Sequence, residues 1–167
     1  RGEGELDLPE ALVFETGSNE WRSFDAWPPP TAAPAAMYFG GDGTLVDALP
    51  TQRKARDRFV SDPDSPVPFT EDVATGMTRE YMTDDQRFAS RRPDVMTYRS
   101  APLEKGMTFA GPIEAELWVT TDHEDADWIV KLIDVFPDDA NDHEFLSEGQ
   151  HMSGYQMMVR SEVLRGR

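Results

Sequence analysis

The sequence predicts an all-β chain, and three observations carry that expectation. Residues 111–137, GPIEAELWVTTDHEDADWIVKLIDVFP, alternate through their first half, with Ile113, Ala115, Leu117 and Val119 on one side and Glu114, Glu116 and Thr120 on the other. That is the period of a strand with one wet face. Residues 128–136 are apolar on both parities and rich in β-branched side chains, as in a strand covered on both faces. The polar connection 121–127 then makes the pair a core hairpin or an inter-sheet corner, with Trp118 and Trp128 in the core. Elsewhere short alternating runs are separated by turn residues, about eight strands in all, the spacing of a sandwich or jelly roll.

Taken in order, Leu12, Val13 and Phe14 open a short strand that Gly17, Ser18 and Asn19 turn. Trp21 to Trp27 forms a second strand-like run, ended by Pro28, Pro29 and Pro30, which cannot donate ladder hydrogen bonds. After a low-complexity connector, Met37, Tyr38 and Phe39 return to strand before the glycine cluster at 40–43. That cluster reads as a hairpin turn, because a phosphate cradle would need a following helix N-terminus and usually a Lys. Residues 44–58 are loop, and Pro63, Pro66 and Pro68 impose a polyproline-like excursion. The segment 70–92 is the one long stretch without strand alternation. It is expected to be an ordered loop with a short helix near Arg79 to Met82, and loops of that length in a small domain tend to serve function. Strand character returns at Val95 to Arg99 and, after a polar loop at 138–154, at Tyr155 to Val163.

A chain of 167 residues reads as one domain, residues 1–167, able to bury a core. Its 32 acidic and 16 basic side chains give a net charge of −16. This argues against nucleic acid or an anionic membrane as partners, since phosphate binding needs clustered Lys and Arg. With no cysteine, disulfides, thiolate catalysis and Cys-ligated zinc are excluded. No apolar run approaches the roughly 20 residues that cross a bilayer. The start at Arg1, without Met or a hydrophobic signal segment, and the stop just after a good strand make a piece of a longer polypeptide the expectation, with sheet-completing strands beyond Arg167.

Chemistry is sparse. No G-x-S-x-G elbow occurs, and His123, His143 and His151 all fall in expected loops. Two acidic clusters, 122–127 and 138–144, have oxygen ligands but not the spacing with a central Gly that a calcium loop needs. They read as solvated turns, so no metal and no cofactor is expected. Arg87, Arg91, Arg92 and Asp94 read as a structural knot that fixes the loop through charge-assisted hydrogen bonds to carbonyls or to Asp84 and Asp85. Trp21 and Trp27 beside the proline run leave a carbohydrate-binding module as an alternative.

Segments along nearly the whole chain carry a family resemblance. They are Val13-Phe-Glu-Thr-Gly17 with Trp21 and Asp25-Ala-Trp-Pro-Pro29, Tyr38-Phe39 with Gly43-Thr-Leu45, and Ser61 to Pro68. Asp85-Gln-Arg-Phe88, Arg92-Pro-Asp-Val95, Ala110-Gly-Pro-Ile113, Asp125-Ala-Asp127 and Val130 to Pro137 continue it. The sequence resembles the C-terminal β-sandwich of the α-amino-acid ester hydrolase, cocaine-esterase and X-prolyl dipeptidyl-peptidase family of serine hydrolases, nearest to the ester hydrolases and the glutaryl-7-aminocephalosporanic acid acylases. The resemblance implies a jelly-roll β-sandwich of the galactose-binding-domain-like kind. It also implies a partner α/β-hydrolase domain in the same polypeptide that holds the Ser, Asp and His triad, and no catalytic residue in this chain. The implied substrates are small acyl esters, amides, prolyl peptides or β-lactam-type acyl groups. By position before Asp85, Tyr81 and Met82 are the implied lining of the acyl pocket. Family members form oligomers, so a structural or assembly role with a second copy is the other alternative.

Overall fold

The computed structural model describes residues 8–51, 55–144, 146 and 148–166. Among these the fold is all-β, a partial sandwich whose strands pair as three two-stranded antiparallel sheets. Strand β1 (Ala11–Glu15) pairs with β2 (Glu20–Phe24), setting Phe14 opposite Trp21. The two rings meet edge to face at 5.5 Å. Two positions in the intervening turn take the left-handed backbone, at Gly17 (φ 94°) and Asn19 (φ 56°), the residue types that tolerate it best.

The glycine cluster turns a hairpin, as its composition predicts. Strand β3 (Tyr38–Phe39) pairs with β4 (Leu45–Val46) around a 3₁₀ turn, Gly41–Gly43. Gly40 N donates to the Thr44 carbonyl at 2.8 Å and closes it. The strand expected at 95–99 contributes only an isolated parallel bridge from Arg99 to Thr44, with Arg99 N donating to the Gly43 carbonyl and Leu45 N to the Arg99 carbonyl, each at 2.8 Å. Phe39 packs on Tyr98 at 4.3 Å. The Tyr98 hydroxyl donates to Asp57 at 2.6 Å; burial first, and then that hydrogen bond, push its pKa up to about 12.

The longest pairing joins β5 (Ala126–Val135) to β6 (Gln156–Gly166), with Ile129 opposite Val163 and an irregularity between Leu132 and Ile133. Such a bulge adds twist and bends the ribbon. At its far end Arg165 grips both oxygens of Asp127 at 2.6 and 2.8 Å, and the hydrogen bond holds that carboxyl below the usual carboxylate range.

The hairpin expected between 112–120 and 128–136 does not form. Strand β5 takes β6 as its partner, and 112–120 is assigned to no strand. No backbone–backbone hydrogen bond among the described residues involves 112–120 or closes a turn at 121–125, where His123 N donates instead to Thr121 Oγ1 at 3.2 Å. Trp118, expected in the core, is 94% exposed, while Trp128 is half-buried and meets Phe59 edge-on at 6.3 Å. Alternation specifies which face of a strand is apolar and is silent about the partner. Here β6 matches β5 along its whole length.

The chain exposes 14,988 Å², where a compact monomer of 18.8 kDa exposes about 8,300 Å². Leu12, Phe14 and Trp21 on the first hairpin and Ile129, Val163 and Leu164 on the long ribbon remain exposed. Among the described residues burial concentrates at one place. Apart from Pro29, the buried residues are Ala89, Met152 and Tyr155 with the polar Thr70, Gln86 and Gln156, and they belong to the junction between the 70–92 loop and the start of β6.

Candidate functional site

The loop 70–92 is closed at its base. Asp84 Oδ2 accepts from Glu71 N at 3.4 Å, and Thr70 Oγ1 donates to the Asp72 carbonyl at 2.8 Å. A 3₁₀ turn, Glu80–Met82, sits where a short helix is expected. Its end is fixed by Thr83 N and Asp84 N, which both donate to the Glu80 carbonyl at 2.8 Å. Tyr81 is half-buried and its ring lies 6.0 Å from that of Phe69, whereas Met82 is 56% exposed. Met77 and Val73, farther out on the loop, are more exposed still. The two residues implied by position thus share one turn, with Tyr81 packed on the loop and Met82 presented outward.

Behind that turn runs a dense polar anchor. The single-turn helix α1 (Arg87–Ser90) follows it, and the two residues just ahead, Asp85 and Gln86, tie the loop to the first residue of β6. Gln86 N donates to the Gln156 carbonyl at 3.0 Å, and Asp85 Oδ1 accepts from Gln156 N at 3.2 Å. Asp85 Oδ2 takes Arg87 Nε at 2.5 Å, and Arg87 Nη1 donates to the Ser153 carbonyl at 3.3 Å. The hydrogen bond to Asp85 raises the Arg87 pKa above its ordinary value. Gln86 is 2% exposed, and both ends of its amide are used. Its Nε2 donates to the Asp84 carbonyl at 2.9 Å and its Oε1 accepts from Lys131 Nζ at 2.6 Å. Burial pulls the Lys131 pKa down while Asp84 opposes it, and the ammonium also sits 5.6 Å from the centre of the Phe88 ring. Tyr155 completes the anchor by donating its hydroxyl to the Thr83 carbonyl.

The structural knot expected of Arg87, Arg91, Arg92 and Asp94 forms around two of the arginines, Arg87 on Asp85 and Arg92 on Asp94. Arg92 Nε and Nη2 fork onto Asp94 at 2.8 and 2.7 Å, and Nη2 also donates to the Ser65 carbonyl at 2.6 Å, tying down the proline-rich excursion. Hydrogen bonding to Arg92 lowers the Asp94 pKa. Arg91 instead faces an open groove of about 690 Å³, shared with Glu71, Arg87, His151, Ser153 and Tyr155.

Of the other candidates, His151 Nδ1 lies 2.8 Å from Asp142 Oδ2, whose second oxygen accepts from Met152 N at 2.7 Å. This pairing lowers the Asp142 pKa and pins the polar loop before β6. His123 is 84% exposed beside Asp122. Among the described residues no group of three or more His, Asp or Glu side chains is placed to hold a metal ion. Trp21 and Trp27 are both exposed, and Trp27 is tilted against Phe24 at 5.7 Å. Sequence reasoning missed Gln86, Lys131 and Tyr155. Nothing in the order of residues joins Gln86 to a lysine 45 positions away, although Tyr155 stood at the head of a recognised strand.

Residues 5–165 match the family described as the X-Pro dipeptidyl-peptidase C-terminal non-catalytic domain. Among curated proteins the chain is 32% identical, over 148 residues, to the cocaine esterase of Rhodococcus sp. (strain MB1 Bresler), covering 81% of this chain and 26% of that protein. Among solved structures it resembles an aminopeptidase from the marine sediment archaeon Thaumarchaeota archaeon, with a TM-score of 0.84 and 36% identity. That likeness covers 98% of this chain and 27% of the other. The chain therefore spans about a quarter of the length of each relative. With a match running from the first strand to the last, and a fold shared at that level of identity, the chain belongs to the X-Pro dipeptidyl-peptidase C-terminal non-catalytic domain family.

Proposed function

We propose that residues 1–167 are the accessory C-terminal β-domain, of jelly-roll type, of a serine hydrolase. In this reading they pack on an α/β-hydrolase domain of the same polypeptide and wall its acyl pocket with Tyr81 and Met82. One observation carries it: the turn bearing these residues is held by hydrogen bonds at Thr83 and Asp84, yet Met82 on it is 56% exposed. A chain that spends its buried hydrogen bonds on fixing Asp84 to Arg87 while leaving Met82 exposed is built to present that turn to something else. The large exposed apolar area of the hairpin and the ribbon supports packing on a further body. The relatives named as an esterase and an aminopeptidase cleave ester and peptide bonds respectively, both acyl transfers.

The division of labour follows. In the hydrolase domain a serine attacks the ester or amide carbonyl with histidine as general base, and water or an amine resolves the acyl-enzyme. This chain contributes shape: side chains that contact the acyl group change which substrate reaches the transition state best. Tyr81→Ala in the intact polypeptide is expected to change the ratio of kcat/KM for bulky over small acyl esters by roughly tenfold, with little change in thermal midpoint. Parallel movement of both substrates would sink the pocket assignment.

A further inference from the structure

We infer that Tyr155 is the positioning residue for the turn Glu80–Met82, and through it a determinant of acyl selectivity; the second part rests on the pocket reading above. Tyr155 is 5% exposed and is fixed by its own backbone on both sides. Its N–H donates to the Met152 carbonyl at 3.0 Å, and its carbonyl accepts from Phe136 N at 2.9 Å. The ring stands edge-on to Phe136 at 6.5 Å, so the side chain has little freedom to swing. From this post the hydroxyl reaches the carbonyl of Thr83, the residue directly after Met82.

Thr83 is where the turn ends. Its N–H and that of Asp84 both close on the Glu80 carbonyl, so holding the Thr83 carbonyl fixes the peptide that terminates the turn. The other ties from this loop to residues 153–156 and to β5 act through Asp85, Gln86 and Arg87, farther along the chain from Tyr81. Among the described residues, Tyr155, directly ahead of β6, is the link that reaches the neighbour of Met82 from that side of the junction. Burial, reinforced by the nearby Asp85, Asp84 and Glu71 charges, raises its pKa, so the hydroxyl keeps its proton and remains a donor. Deleting the oxygen leaves the ring packing in place and frees only the turn.

The test is Tyr155→Phe beside Tyr81→Ala, both in the intact polypeptide. Amide hydrogen exchange at Thr83 and Asp84 is expected to quicken about fivefold in Tyr155→Phe, the loss of one neutral hydrogen bond. The kcat/KM ratio for bulky over small acyl esters is expected to shift about threefold or more. A merely structural role would lower both substrates together. Unchanged exchange at Thr83 and Asp84 would overturn the clamp. Faster exchange with an unmoved ratio, while Tyr81→Ala does move it, would overturn the selectivity role and leave the pocket reading standing. An unmoved ratio in Tyr81→Ala would overturn the pocket reading, and the selectivity role with it.

Discussion

Replacing Asp85 by alanine is expected to destabilise the β-domain of the intact polypeptide by about 2–3 kcal/mol. The Asp85 side chain is only 14% exposed, and it serves four donors: Arg87 N, Arg87 Nε, Arg87 Nη2 and Gln156 N. Its removal strands two backbone N–H groups at the junction and leaves the Arg87 guanidinium without its carboxylate. Arg87 is 31% exposed, so water recovers part of the loss and the figure stays below that for a fully buried pair. Asp85→Asn keeps an acceptor for Gln156 N and should lose less than half as much. Denaturant unfolding followed by tryptophan fluorescence measures both variants. A change under about 0.5 kcal/mol for alanine, the level of an ordinary surface substitution, would show that the junction is not the stabilising element.

Gln86→Leu should be nearly as damaging, and its rescue is the more informative result. Leucine fills similar space but accepts nothing from Lys131 Nζ, so a half-buried ammonium loses the acceptor now 2.6 Å away. Leaving a buried charged donor unpaired costs about 2–3 kcal/mol. Removing both polar partners with Gln86→Leu and Lys131→Met should restore about half of it, because the desolvated charge is then gone while the Asp84 carbonyl still lacks the Gln86 donor. If the double variant is as unstable as the sum of the two singles, the Gln86–Lys131 bond is not what holds the loop to the ribbon.

Much of this was legible in the sequence because it is local. The turn chemistry of Gly17 and Asn19, the hairpin at 40–43, and the apolar runs that became β5 and β6 needed only neighbours to be read. Arg92 and Asp94, two residues apart, were legible for the same reason. The pairing of β5 with β6 was not, because alternation at 112–120 gave an equally good strand pattern nearer in sequence, and pattern alone does not choose a partner. Four residues of helix at Arg87–Ser90 are too few to show a 3.6-residue period. The anchor escaped because it is assembled from distant positions: Gln86 with Lys131, Tyr155 with Thr83. The family resemblance supplied Tyr81 and Met82 as candidates; the hydrogen bonds supply a physical reason why that turn is held so firmly.

We propose that this domain completes its apolar faces against other parts of a longer polypeptide. Residues 112–120 test it most directly, since they alternate like a strand yet have no backbone partner among the described residues, with Trp118 94% exposed. Amide hydrogen exchange should be measured on the intact polypeptide. Protection at these amides of about a hundredfold or more over the free-chain rate is expected, comparable to that of β5 and β6. Exchange at the free-chain rate across 112–120 would mean that nothing covers this segment.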